Sequence, residues 1–175
     1  MKRYVLTYGL VLGTILCINM IYLVNLCYNH PDFESNDLLG YGAMLITFSL
    51  IFIGVINYRN KQLHGIISFG EALKTSLLIA LIGSTMYVGV WLFYYYQFVP
   101  DFMYKYTQHV LKEAVRDGAG NIELAAKKKE MADFKVMYTN PVMIILFTYA
   151  EVLPLGIVVG LISSLILKKK PAISA

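Results

Sequence analysis

YVLTYGLVLGTILCINMIYLVNLCY, residues Tyr4–Tyr28, runs for 25 residues without one charged side chain. About 20 residues at 1.5 Å each cross the ~30 Å hydrocarbon layer of a bilayer, so this block is long enough to span it. Lipid offers no partner to backbone N–H and C=O groups, which leaves a helix as the form an uninterrupted apolar run must take. Lys2-Arg3 before it resembles the start of a secretion signal, but the apolar core of a signal is only about 7–15 residues. No small-residue cleavage site follows, and in Val24-Asn25-Leu26-Cys27 a leucine stands where a lipoprotein signal needs a small residue. The block is therefore expected to be a retained helix.

Three more blocks repeat the pattern: Leu38–Tyr58, Thr75–Val99 and Pro141–Leu167. Across the 175 residues, 58% are hydrophobic and 15% charged, and mean hydropathy is +0.60. Soluble domains carry about 25% charged residues, and here the deficit is concentrated in the four blocks. The expected fold is all-α: an integral membrane four-helix bundle forming one domain over residues 1–175. The third helix is expected to begin before its apolar run, because Ser68-Phe69-Gly70-Glu71 has the form of a capping box. Pro141 suits the first turn of the fourth.

Basic residues set orientation. With both termini cytoplasmic, Lys2, Arg3, Arg59, Lys61, Lys74 and Lys168–Lys170 lie inside, eight of the 15 Lys and Arg; the other seven lie between Lys105 and Lys135. That count is nearly even, but the first helix usually dominates. It has two basic residues before it, whereas the connection after it carries Asp32, Glu34 and Asp37. Trp91, Tyr94, Tyr95 and Tyr96 then fall at the outer interface, where an aromatic belt is expected. The net charge of +4 sits beside the spans rather than on one face, so membrane lipid is the expected partner and nucleic acid is not.

Residues 100–140 form the one long connection. Phe102, Met103, Tyr106, Val110, Leu111 and Ala114 recur at helical spacing, Gly118-Ala119-Gly120 interrupts, and Asn121 is a candidate N-cap for a second helix. That helix sets Leu124, Met131, Phe134 and Met137 to one side and Lys127–Lys129 to the other. An extramembrane amphipathic hairpin is expected, lying on the outer leaflet or capping the bundle, with a membrane-protein partner as one occupant of its surface.

Few residues carry chemistry. Glu151 lies ten residues into the fourth block, roughly 15 Å deep by helical rise. An ionisable group there costs a few kcal/mol and marks a candidate site. Pro154 lacks an amide hydrogen, so the carbonyl of Ala150 loses its usual partner and a kink is expected beside the carboxylate. Glu151 then binds a proton or cation. The plainer alternative is a neutral carboxyl bonded to Asn19, a tyrosine or the freed carbonyl. Gly156, Gly160 and Ser164, Gly9 and Gly13, and Ser76-Ala80-Ser84 are small-residue stripes suited to close helix packing within the chain, or between copies in a homo-oligomer.

His30, His64 and His109 show no ligand spacing, so no metal or other cofactor is expected. Cys17 and Cys27 stand roughly 15 Å apart on one helix and cannot form a disulfide with each other. No phosphate-binding glycine loop, His-Glu-x-x-His pair or serine-histidine arrangement is present, and no enzymatic activity is expected.

Two sets of motifs carry a family resemblance. Tyr41-Gly42-Ala43-Met44, Phe48–Phe52, Tyr58-Arg59 and Ile67–Leu73 form one. Tyr138-Thr139-Asn140-Pro141, Glu151-Val152-Leu153-Pro154-Leu155-Gly156 and Leu161–Lys168 form the other. Together they resemble the domain of unknown function 4199 family, small bacterial membrane proteins, over nearly the whole chain. The resemblance implies a bacterial inner-membrane location and supplies no activity, substrate or site residue. The expected function is a non-enzymatic accessory or interaction component; the alternative is a small transporter or channel subunit using Glu151, with an intramembrane enzyme third.

Overall fold

A computed structural model describes residues 1–30, 33 and 37–169. Asp32, Glu34 and Lys170, which entered the orientation argument, lie outside the described residues. The described residues form seven helices and no strand: α1 (Lys2–Asn29), α2 (Asp37–Phe48), α3 (Leu50–Gln62), α4 (Phe69–Phe98), α5 (Phe102–Arg116), α6 (Asn121–Met137) and α7 (Pro141–Leu167). Four helical segments are long and apolar enough to cross a membrane: Lys2–Asn29, Leu38–Gln62, Phe69–Phe98 and Pro141–Leu167.

The second of these, one span by length and composition, carries a local break. It breaks into α2 and α3 at Ser49, whose amide is shared between the carbonyls of Leu45 and Ile46, both at 3.1 Å. Two neighbouring hydroxyls turn back on their own helix: Thr47 Oγ1 donates to Ala43 O at 2.8 Å and Ser49 Oγ to Leu45 O at 3.0 Å. Such back-bonding loosens and bends a helix locally.

α4 is the centre of the assembly, with its most extensive contacts to α1 and α7. Small residues explain why both approach so closely. A Cβ added at Gly9 would stand 2.7 Å from Ile82 Cβ, and one at Gly13 would stand 2.9 Å from Met86 Sδ. On the α7 side, a Cβ at Gly156 would stand 2.9 Å from Ala80 Cβ, and one at Gly160 3.1 Å from Ser76 Cβ. Ser164 Oγ and Ser76 Oγ close the row at 3.3 Å, so the α7 stripe lies along the Ser76-Ala80 stripe of α4.

Caps set the helix ends. Ser68 Oγ accepts from Glu71 N at 3.2 Å, but the Glu71 carboxylate accepts from Tyr58 OH at 2.8 Å, so only half of the capping box forms. Asn140 Oδ1 accepts from Val142 N at 2.9 Å, with Pro141 in the first turn of α7. α5 ends at a left-handed Gly118 (φ 83), where Ala119 N reaches Ala114 O at 2.9 Å and Gly118 N reaches Val115 O at 3.1 Å. That pair of bonds is the Schellman arrangement. The N-cap of α6 is Gly120, not Asn121, which is already helical and makes no capping bond.

The two ends of the assembly are tied differently. At one, Ile67 and Lys169 exchange backbone bonds of 3.1 and 2.9 Å, and Arg59 Nη1 donates to Leu167 O at 3.1 Å. Tyr4 of α1 joins the same end against Tyr58, ring centroids 5.9 Å apart. At the other, Lys105 Nζ lies 3.5 Å above the centre of the Tyr28 ring, and Tyr28 OH bonds Asp101. Phe33 packs on Phe102 at 5.3 Å and on His109 at 6.2 Å.

Candidate functional site

Aromatic side chains meet beneath α5 and α6. Of the aromatic residues at this end of α4, Trp91, Tyr94 and Tyr95 are buried within the chain, while Phe93 and Tyr96 are exposed. The reason is that the start of α5 covers the end of α4: Trp91 meets the Phe102 ring edge-on at 5.3 Å and donates through Nε1 to Tyr138 OH at 3.0 Å. Tyr138 lies between Tyr95 and Phe134, at 5.4 and 5.5 Å. Burial pushes its phenol up to about 12, while Trp91 and Thr148 pull the other way, so it stays a neutral hydroxyl at physiological pH.

Below this cluster opens a cavity of about 440 Å³. Helical spacing determines which side chains reach it. α1 supplies Leu16, Asn19, Met20 and Leu23; α4 supplies Tyr87 and Trp91, one turn apart; α7 supplies Thr148 and Glu151. Tyr41 and Met44 of α2 form another wall, and Phe102, Met103 and Tyr106 of α5, with Phe134 of α6, form the cover.

Glu151 is exposed at this wall rather than sealed in the packed interior. It stands at the edge of the buried stripe of α7, whose inward residues on either side are Thr148 and Val152. Asn19 shares the cavity with it, but its amide donates to Thr47 Oγ1 at 3.4 Å, across to α2. α7 continues as a helix through Pro154, which lies on the exposed side.

The other sequence candidates lie elsewhere. Gly9, Gly13, Gly156, Gly160 and Ser164 form helix contacts inside the chain and do not line the cavity. Cys17 and Cys27 are both buried and not joined in a disulfide, and Cys27 Sγ donates to Phe33 O at 3.4 Å. His109 lies 3.4 Å from Glu113 on its own helix, and His64 occupies a left-handed turn with φ 51. Among the described residues, no three His, Cys, Asp or Glu side chains converge as metal ligands would. Sequence reasoning missed Tyr87, Thr148 and Tyr138 as members of the site. The i, i+4 pair Tyr87–Trp91 and the i, i+3 pair Thr148–Glu151 were the available signals.

The family of proteins of unknown function, DUF4199, matches residues 7–169. The chain belongs to the DUF4199 family. No curated protein and no solved structure matches it. In this DUF4199 chain the matched stretch takes in α2 to α6, nearly all of α1, the whole of α7 and every residue lining the cavity.

Proposed function

We propose that the protein is a multi-pass component of a bacterial inner membrane with both termini cytoplasmic, acting without catalysis through its outer helical hairpin. The four spans form the bundle, and α5 and α6 form the extramembrane part. The carrying observation is how that hairpin divides its two sides. Phe102, Met103 and Phe134 pack toward the spans, while Ile122 and Val136 stand 90% and 70% exposed on α6. Met137, expected on the inward side, is exposed as well, so the outer surface of α6 mixes apolar groups with Lys128 and Lys129. An apolar surface bordered by lysines suits a membrane-protein partner or the headgroup region of the bilayer.

The basic and acidic residues flanking α1 support the orientation, since the ends of α1 and α7 share one side of the bundle. Affinity capture of the tagged full chain, compared with an Ile122→Asp/Val136→Asp variant, tests the hairpin. Both side chains face out, so the variant is expected to accumulate normally and to lose specific partners. A variant that retains every partner refutes the reading. A second reading, a small transporter or channel subunit, rests on Glu151 opening onto the cavity instead of being packed away.

A further inference from the structure

We infer that the cavity between α1, α2, α4 and α7 is a binding site for a lipophilic organic cation: a quaternary ammonium, a phosphonium or a comparable delocalised charge with apolar substituents. The size is suitable, since about 440 Å³ lies within the 300–1,000 Å³ common for small-molecule sites. The lining determines the chemistry. Among the described residues that line the cavity, Glu151 is the one acidic side chain and there is no Lys, Arg or His. Eight of its 21 residues are aromatic, Trp91, Phe102, Tyr106 and Tyr138 among them. Ring faces attract a cation, and a carboxylate supplies the opposing charge.

Other ligand classes fit less well. Among the described lining residues an anion would meet a carboxylate and no base. A hard inorganic cation needs about six oxygen ligands, usually with more than one carboxylate. A phospholipid with an ammonium headgroup also brings a phosphate, and none of the described lining residues offers that phosphate a positive charge. A large, weakly hydrated cation loses little solvation on entry and gains both the rings and Glu151. α5 and α6 cover the site, so an occupant reaches it past Tyr106 and Phe134 or laterally between spans. The inference concerns the cavity and is independent of whatever binds the outer face of α6.

The chain has a single tryptophan, and Trp91 lines the cavity, so intrinsic emission reports from the wall itself. The full chain, purified in a non-ionic detergent, is titrated with tetraphenylphosphonium and separately with tetraphenylborate, which has nearly the same shape and opposite charge. Saturable change with the phosphonium alone is expected, together with at least tenfold weaker binding in Glu151→Gln. Gly40→Phe provides a variant that leaves the carboxylate intact. A Cβ at Gly40 meets only Leu23 Cδ1, at 4.0 Å, so a ring there enters the cavity and is expected to block binding by volume. Equal saturation by both ions, or unchanged phosphonium affinity in Glu151→Gln with native helicity by circular dichroism, overturns the inference. Unchanged affinity in a folded Gly40→Phe protein does the same. Displacement of the phosphonium by monomeric dihexanoylphosphatidylcholine would assign the site to a lipid headgroup and overturn the free-cation assignment.

Discussion

Replacing Gly156 by alanine tests the seam between α4 and α7. The added methyl would stand 2.9 Å from Ala80 Cβ and 2.7 Å from Phe48 Cε1. Non-bonded carbons rest at about 3.5–4.0 Å, so the seam must open by about 0.6 Å or more. Phe48 is fully buried and has little room to yield, and Ala80 Cβ moves only if α4 moves. Overpacking of this kind costs about 1–3 kcal/mol. Removing a helical glycine also returns about 1 kcal/mol of helix propensity, which must be subtracted. Gly89→Ala supplies the subtraction, because a Cβ there meets nothing within 4 Å in the same kind of helix. Reversible unfolding in mixed micelles with increasing sodium dodecyl sulfate measures all the variants. Gly156→Ala is expected to be about 1–3 kcal/mol less stable than Gly89→Ala. Gly160→Ala, 3.1 Å from Ser76 Cβ, is expected between them. If Gly156→Ala and Gly89→Ala unfold together, the seam is not as described.

Three further outcomes are expected. A reporter fused after Lys170 reads cytoplasmic and one inserted at Gly118 reads external; the reverse pair overturns the orientation, and agreement between the two overturns the number of crossings. Glu151→Gln accumulates normally by membrane blot; loss of complementation at normal abundance favours transport, and full complementation removes it. Tyr138 has a folded pKa of about 12 against an ordinary 10.0. The unfolded phenol ionises first, so this contribution is complete below pH 10 and is lost as pH rises toward 12. Stability measured by unfolding between about pH 8 and pH 12 is expected to fall less steeply in Tyr138→Phe than in the wild type, and parallel curves would contradict the assignment.

What could be read in advance was local or compositional. The spans follow from apolar length, and the Ser68 cap from a pattern within one turn of helix. The break at Ser49 escaped because a hydroxyl bonding its own helix leaves apolar composition untouched. That Trp91, Tyr94 and Tyr95 turn inward has a tertiary cause that their spacing does not carry: Phe102 of α5 covers Trp91, and Tyr138 meets Tyr95. Glu151 was identified by its rarity at that depth, yet its exposure depends on where α1, α2 and α7 diverge, which spacing along one helix does not encode. The small-residue stripes were legible as packing surfaces, but not which stripe meets which. Asn121 lost the cap to Gly120 through a shift of one residue, the scale on which helix ends are least determined.

The central place of α4 also orders the birth of the molecule. α1, α2, α3 and α4 leave the ribosome first, so the seam of Gly9 and Gly13 against α4 can close while α7 is still being made. α7 follows behind the two short helices, and its Gly156-Gly160-Ser164 row is the half that matches the Ser76-Ala80 row of α4. Lys169, just past α7, pairs with Ile67 at the end of that row, a latch that holds α7 in register.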